Sequence, residues 1–325
     1  MNFKKRDLLR AAAALPLAAG LTRAFAQDKF PSGPIKLIVP FAPGGTNDIV
    51  GRILAEKMAP TIGQAIVVEN KSGAGGVIGA QAAARASADG HTLLLHSSTL
   101  IIQQYLTANP GYDYQADFTP ISLLTQFPLV LVVTRSLPVN NITEFLEYAR
   151  AKGSELFYGS AGQGSSQHLV GELFNRVAGT KIQHVPYRGN GPATAALLAG
   201  EIQVFFDIVP TAITLGAAGK VKNLAVTSKT RSPSIPDLPT LHETILPGFE
   251  ANFWQALFLP KGASPEIVKQ WLHAVKTALS DKEVQARLHE LGFETFGSSP
   301  EELAKYMREE SAKWGKVIAD ANIKV

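Results

Sequence analysis

The sequence predicts an α/β protein whose two lobes hold a ligand cleft between them. Three observations predict it. Short β-branched runs alternate with segments of helical period, and they do so in two successive blocks. A proline- and serine-rich stretch from Arg231 to Gly248 separates the second block from a last apolar strand and a helical tail. Finally, three glycine turns each follow a hydrophobic strand and open a helical stretch, which places them beyond the carboxyl ends of strands, where open α/β sheets bind ligands.

In the first block, Ile35 to Val39, Ala65 to Glu69 and Thr92 to His96 read as strands. Between them Ile49, Ile53, Leu54 and Met58 share one helical face, and Val77 to Ala86 is alanine-rich and helix-prone. This alternation predicts a mostly parallel sheet covered on both faces. The second block opens with the apolar run Phe127 to Val133, with strands near Phe157, His184, Val204 to Phe206, and Leu224 to Thr227. Its helices fit Ile142 to Ala151, Ser166 to Ala178 and Pro192 to Ala199. The middle one lines up Leu169, Val170, Leu173, Phe174 and Val177, and the last has proline in its first turn and stops before Gly200. After a strand at Phe253 to Leu259, helices start at Ser264-Pro265-Glu266, at Ser280-Asp281 and at the capping box Ser299-Pro300-Glu301-Glu302. The strands near Leu129 to Val133 and Phe253 to Phe258 are the expected crossovers between lobes.

Residues 1–26 have the layout of a cleaved export signal: Lys4, Lys5, Arg6 and Arg10, an apolar run from Ala11 to Leu21, then Ala24-Phe25-Ala26. The run is too short to span a bilayer and contains Pro16 and Gly20, so cleavage is favoured over anchoring, and a periplasmic location is expected. Lys5-Arg6 approximates a twin-arginine motif without matching it, which leaves the general and twin-arginine routes open. The leader holds five basic residues and one acidic; without it 26 of each remain, and the net charge of +4 falls to zero. Neither nucleic acid nor an anionic membrane surface is an expected partner. The absence of cysteine excludes disulfides, thiolate metal sites and a cysteine nucleophile.

The glycine turns are Ala42 to Asp48, Ser160 to His168, and Tyr187 to Pro192. Unsatisfied N–H groups at a helix N-terminus, added to the helix dipole, attract a small carboxylate without a lysine or arginine. In the first turn Gly44 and Gly45 let the backbone approach closely, and Thr46 or Asn47 can cap the helix. Asp48 suits dipole compensation better than ligand contact, since a second anion would repel a carboxylate. In the second, Ser165 is the expected N-cap. His168 either hydrogen-bonds the ligand as a neutral imidazole or is tucked against its own capping turn. In the third, the backbone of Gly189 to Gly191 is a better contact than Arg188, whose long side chain suits solvent. Asp207, ending Val204-Phe205-Phe206, faces the cleft or caps the next segment.

Two enzymatic interpretations compete for the same residues. Gly73-Ala74-Gly75-Gly76-Val77-Ile78-Gly79 lacks the dinucleotide spacing and is better explained by a helix entry packed close to its sheet. Ser165, His168 and Asp207 can be drawn as a hydrolase triad, but no G-x-S-x-G elbow surrounds Ser160, Ser165 or Ser166. The seven histidines form no ligand cluster, and no cofactor or metal is expected.

Taken in order, Ile38-Val39-Pro40-Phe41-Ala42-Pro43-Gly44-Gly45 with Asp48, Glu69-Asn70-Lys71 with Gly73 to Gly76, and Tyr158-Gly159-Ser160-Ala161-Gly162 with Gly164, Ser165 and His168 closely resemble the Bug-type receptors. These are the extracytoplasmic substrate-binding proteins of tripartite tricarboxylate transporters. The resemblance continues through Val185-Pro186-Tyr187-Arg188-Gly189, Ala225 to Ser228 and Arg231-Ser232-Pro233. It implies a periplasmic-binding-protein fold (type II) with residues 27–126 plus 250–325 as lobe 1 and 127–249 as lobe 2. It also implies capture of a small carboxylate and delivery to membrane permease subunits, by a monomer and without chemistry. Carried over, Phe41, Gly44, Gly45, Thr46, Ser160, Ala161, Ser165 and His168 are the first-choice contacts, and Ser98 and Asp207 the second. Asp48, Gly162, Tyr187 and Gly189 complete the candidate set. A periplasmic sensor serving a signalling partner, or a small-molecule hydrolase, is the alternative function.

Overall fold

The computed structural model describes residues 30–187, 189–320 and 323. The export leader over residues 1–26 and the role weighed for Arg188 lie outside the described residues.

The first block alternates strand and helix as β1 (Ile35–Val39), α1 (Thr46–Ile62), β2 (Ile66–Asn70), α2 (Val77–Ala84), β3 (Thr92–Ser97) and α3 (Thr99–Leu106). β1 runs parallel to both β2 and β3. Its residues are almost all buried because helices cover both faces. The chain then enters β4 (Phe118–Thr134), a single 17-residue strand. The second block follows as α4 (Ile142–Lys152), β5 (Phe157–Ser160), α5 (Ser166–Ala178), β6 (Gln183–Pro186), α6 (Asn190–Ala199), β7 (Val204–Ile208), α7 (Val209–Ala217) and β8 (Val221–Val226). The short α8 (Leu241–Thr244) leads to β9 (Asn252–Pro260), and the tail is α9 (Pro265–Ser280), α10 (Lys282–Glu290), β10 (Glu294–Thr295) and α11 (Pro300–Asp320).

The strand order is β2-β1-β3-β9-β4-β7-β5-β6, with β8 and β10 also pairing β4. The sheet is therefore mixed, which corrects the expected mostly parallel one. Strand-helix-strand units return their strands parallel, as in β1-β3 and β5-β7. β4 instead pairs antiparallel with β9 through its first part and with β7 and β8 through its second. It extends well upstream of the run at Phe127 because it tolerates Pro120 at a register shift and Pro128 at the junction of the two pairings. β9 pairs only within the first sheet region, so the return crossover lies before it, between Val226 and Ala251.

Local chemistry sets the helix starts as expected. Ser165 caps α5 by accepting from the His168 N–H, and Ser299 and Glu302 form a reciprocal capping box at α11, with bonds of 3.1 and 2.7 Å. α5 buries Leu169, Val170, Leu173 and Phe174. α11 crosses β4 and α3, stacking Trp314 on Phe253 at 5.7 Å.

Thr227 clasps the two crossings together. Its hydroxyl accepts from the Leu129 N–H at 2.9 Å and donates to the Ala251 carbonyl at 2.8 Å, while its own backbone pairs with the same two residues. It is fully buried. Thr227→Val is expected to cost about 2 kcal/mol, because a buried N–H and carbonyl lose their partner while the shape is kept. Urea unfolding of the variant checks this, and an unchanged midpoint would show that the clasp contributes nothing.

Candidate functional site

A cleft of about 600 Å³ opens where the two sheet regions meet. Phe41, Thr46 and Ser98 face it from one side, Ser165, Gly189 and Ile208 from the other, and Phe127, Leu129 and Phe253 form its floor. Among the described residues five helices begin at the cleft, and all but α5, which Ser165 caps, lack a side-chain cap. The N-cap residues of α1, α3, α6 and α7 (Gly45, Ser98, Gly189 and Ile208) all line the cleft, and none of their side chains caps its helix. Of the helices that begin elsewhere, α4, α8, α9, α10 and α11 are capped by Asn141, Thr240, Ser264, Asp281 and Ser299, and α2, which starts at Gly76, is uncapped. Uncapped first-turn amides are free donors at the positive end of a dipole.

At the first turn Gly45, Thr46 and Asn47 line the cleft, whereas Gly44 and Asp48 do not. Asp48 is buried in a clamp. Its carboxylate accepts from the Gly44 N–H at 2.9 Å, from Asn70 Nδ2 at 2.9 Å and from Arg52 Nε at 3.0 and 3.1 Å. Asn70 Nδ2 also donates to the Phe41 carbonyl at 3.0 Å. Burial alone would raise the Asp48 carboxyl; the bonds from Arg52, Gly44 and Asn70, with the Arg52 charge, outweigh it and hold it below the usual aspartate range. The Gly44 amide is thus already committed, and Asp48 shapes the turn from behind.

At the second turn Ala161, Gly164 and Ser165 line the cleft, while Ser160, Gly162 and His168 stand behind it. His168 Nδ1 accepts from the Gly164 N–H at 3.0 Å, and its ring stacks on His184 at 3.9 Å between centroids. His184 Nε2 meets Ser160 Oγ at 2.6 Å and its other face stacks on Tyr158, whose hydroxyl donates to Glu172 at 2.6 Å. Burial pushes both imidazoles down to about 4, with the neighbouring His168 adding to the effect on His184. His168 is therefore tucked against its own turn. A triad would need its ring to face Ser165 and Asp207, but its Nδ1 serves Gly164 and Ser165 Oγ accepts the His168 backbone N–H.

At the third turn Gly189 and Asn190 line the cleft and Tyr187 does not. Asn190 Oδ1 accepts from Gln167 Nε2 at 2.9 Å, tying the second turn to the third. Asp207 lies outside the lining, is 1% exposed, and leaves Oδ2 without a partner. Burial pushes it up to about 6, against a 2.8 Å bond from the Ile208 N–H.

Sequence reasoning missed Gln103, Gln163 and Gln167 and the apolar floor. Gln163 and Gln167 sit inside a turn already singled out, so their type and place were a usable signal; Gln103 offered none. The Gly73 to Gly76 segment proves to be a close-packing platform: a Cβ on Gly76 would stand 2.8 Å from His96, and one on Gly79 would stand 2.5 Å from Pro40. Among the described residues no group of three or more His, Asp or Glu could hold a metal ion.

Two α/β regions joined by β4 and by the return segment after Val226, with a cleft rimmed by helix N-termini that are mostly uncapped, define a two-lobed binding-protein fold. The model of the tripartite tricarboxylate transporter family receptor matches residues 50–323, and the chain belongs to that family. It is 33% identical over 309 residues to protein BugT of Bordetella pertussis, an alignment covering 94% of this chain and 95% of BugT. Its fold is similar to that of the periplasmic binding protein BugD, with a TM-score of 0.78, 35% identity, and 91% and 100% of the two chains covered. It is also similar to a Rhodopseudomonas palustris protein solved with adipate, with a TM-score of 0.81, 35% identity, and coverage of 91% and 100%.

Proposed function

We propose that this chain is an exported periplasmic solute receptor. It captures a small carboxylate between lobe 1 (27–126 plus 250–325) and lobe 2 (127–249) and hands it to the membrane permease subunits of a tripartite transporter. The observation that carries this proposal is that α1, α3, α6 and α7 all start at the cleft without a side-chain cap and so leave first-turn amides there for a ligand, while α5 starts there with only its His168 N–H capped by Ser165. α1 and α5 approach from opposite lobes, and two N-termini at about half a unit charge each match one carboxylate. Dipoles and hydroxyls hold an anion without a deep ion pair, so the grip is releasable and no bond in the ligand need change. The adipate found in the R. palustris relative fits this class of ligand. The first-choice contacts are the amides of Thr46 and Asn47 and the residues Ser98, Ala161, Ser165 and Gly189.

A thermal-shift screen of carboxylic acids tests the proposal. An acid at about 100 times its Kd adds about 2.7 kcal/mol of stability and raises the melting temperature. Small-angle scattering with that acid is then expected to show compaction as the lobes close. If no mono-, di- or tricarboxylate moves the transition, carboxylate capture is wrong.

A further inference from the structure

A second cavity, of about 210 Å³, lies between the first half of α11, the loop before β4 and the end of β9. Phe118 and Phe258 line it from one end of the β4-β9 pairing, whereas Phe127 and Phe253 form the cleft floor at the other end. From Phe253 to Phe258 is five residues, about 17 Å along an extended strand. The loop before β4 is held by its own amides. Asp113 Oδ1 accepts from the Gln115 and Ala116 N–H groups at 2.7 and 2.9 Å, and Asp117 Oδ2 accepts from the Asp113 N–H at 2.7 Å. That turn presents Tyr114 to the cavity. Half-buried Tyr114, Pro120 and Ala304 form apolar walls, and the buried Phe118, Phe258 and Met307 close it beneath.

Two cations, Lys261 and Arg308, line this cavity, and no carboxylate does. Neither side chain pairs with a described residue. For Arg308 the reason is in the sequence. Lys305, Lys313 and Lys316, the other basic residues of α11, each pair with an acid three or four positions away. Arg308 has alanine four positions to either side, at Ala304 and Ala312, and Lys305 and Ser311 at three, so the helix supplies it with no acid. The Lys261 N–H donates to the Asp117 carbonyl at 2.9 Å, and the carboxylates of that loop, Asp113 and Asp117, are engaged by its amides. Two like charges beside an apolar cavity attract an anion that brings an apolar body with it. None of the chain's large exposed hydrophobic side chains lines the cavity. The apolar surface on offer therefore suits a small molecule, since a protein partner covers about 800 Å².

We propose that this cavity is a second ligand site, built for a small amphipathic acid of the arylalkanoate class. The ring lies between Tyr114, Pro120 and Ala304, and the carboxylate meets Lys261 and Arg308. The two sites share no lining residue, so both can be filled at once. The inference goes beyond the function proposed for the cleft and does not depend on it.

The methionines supply a test that reads this site apart from the cleft. The chain has three, Met1, Met58 and Met307. Met307 lines the cavity, and Met58 sits in a different core cluster. In carbon-13 methyl spectra at pH 7, 3-phenylpropanoate is expected to shift Met307 saturably and to leave Met58 in place. The neutral 3-phenylpropan-1-ol is expected to need at least ten-fold more. With Lys261→Gln and Arg308→Gln combined, the acid is expected to weaken ten-fold or more and the alcohol less than three-fold. Ala304→Leu, which fills the cavity, is expected to abolish both responses. Melting temperatures without ligand identify any variant that fails to fold, and the remaining one then decides. No Met307 shift up to the solubility of the acid overturns the site. A shift that survives in the folded variants does so too, because it traces the response to the cleft. A response to a capped phenylalanyl-glutamate peptide but not to the acid gives the cavity to a protein partner and overturns the small-molecule assignment. Each of these failures leaves the function proposed for the cleft standing.

Discussion

Between pH 7 and pH 5 three buried imidazoles and Asp207 are together expected to lower the unfolding free energy by about 4 kcal/mol, a large part of a typical domain's stability, with the raised carboxyls of Glu172 and Glu294 opposing them. His96, His168 and His184 are each pushed down to about 4 by burial. The unfolded chain takes up their protons near pH 6.5 and the folded chain only near 4, so each costs stability as pH drops through 6.5, levelling off below 4. At pH 5 that is about 2 kcal/mol per imidazole. Asp207 acts in the opposite sense. Raised to about 6, it penalises the folded state as pH rises from the ordinary aspartate range, so acidification returns about 1 kcal/mol. Urea unfolding at the two pH values measures the sum, and equal stability at both would mean that these imidazoles stay protonatable in the fold. The consequence reaches the site, because protonating His168 Nδ1 removes the acceptor that holds Gly164. Ligand affinity is therefore expected to hold between pH 7 and pH 5 and to decline only as the pH approaches 4, where the folded protein's His168 takes up its proton.

Removing the clamp behind the first turn is expected to be nearly as damaging. Asp48→Ala leaves the Gly44 N–H and Asn70 Nδ2 short of an acceptor and frees Arg52. Buried pairs broken on one side cost about 3–5 kcal/mol; because the Arg52 side chain is 55% exposed, about 2–3 is expected here. Ligand affinity should fall at least ten-fold, since Asn70 and Asp48 together hold the Phe41 and Gly44 backbone in place. Thermal unfolding and calorimetry on one preparation separate the two effects. Normal affinity in a destabilised variant would show that the turn keeps its shape unaided. The Asp48 carboxyl is held below its usual range, so the clamp is intact throughout pH 5 to 7 and drops out only in stronger acid. It therefore makes no contribution to the first prediction.

What could be read in advance was local. Ser165 and Ser299 cap helices three residues ahead of their partners, and the amphipathic spacing of Leu169, Val170, Leu173 and Phe174 needs only one helix to make sense. The three glycine turns declared themselves because a strand, a glycine and a helix start within a dozen residues of one another. What could not be read depends on distant segments. β4 runs through Pro120 and Pro128 because β9, more than 100 residues on, accommodates a shift of register. Asp48 is held behind the cleft wall by Asn70 from β2. His168 is turned from the cleft by His184, which arrives on another strand. Gln103 looks like any helical glutamine until Gly75 and Thr107 bracket it.

By itself, then, the sequence determined an α/β chain with helix N-termini aimed at one place, because dipoles, caps and glycine turns are short-range chemistry written within a few residues. Only the tertiary structure decided which groups at that place remain free. A donor is available to a ligand only when no acceptor has claimed it, and the claiming acceptors are themselves held by distant residues, Asp48 by Asn70 and His168 by His184. Gly44 and Gly164 are claimed by Asp48 and His168, while the amides after Gly45 and Gly189 and the amino group of Gln103 are left open.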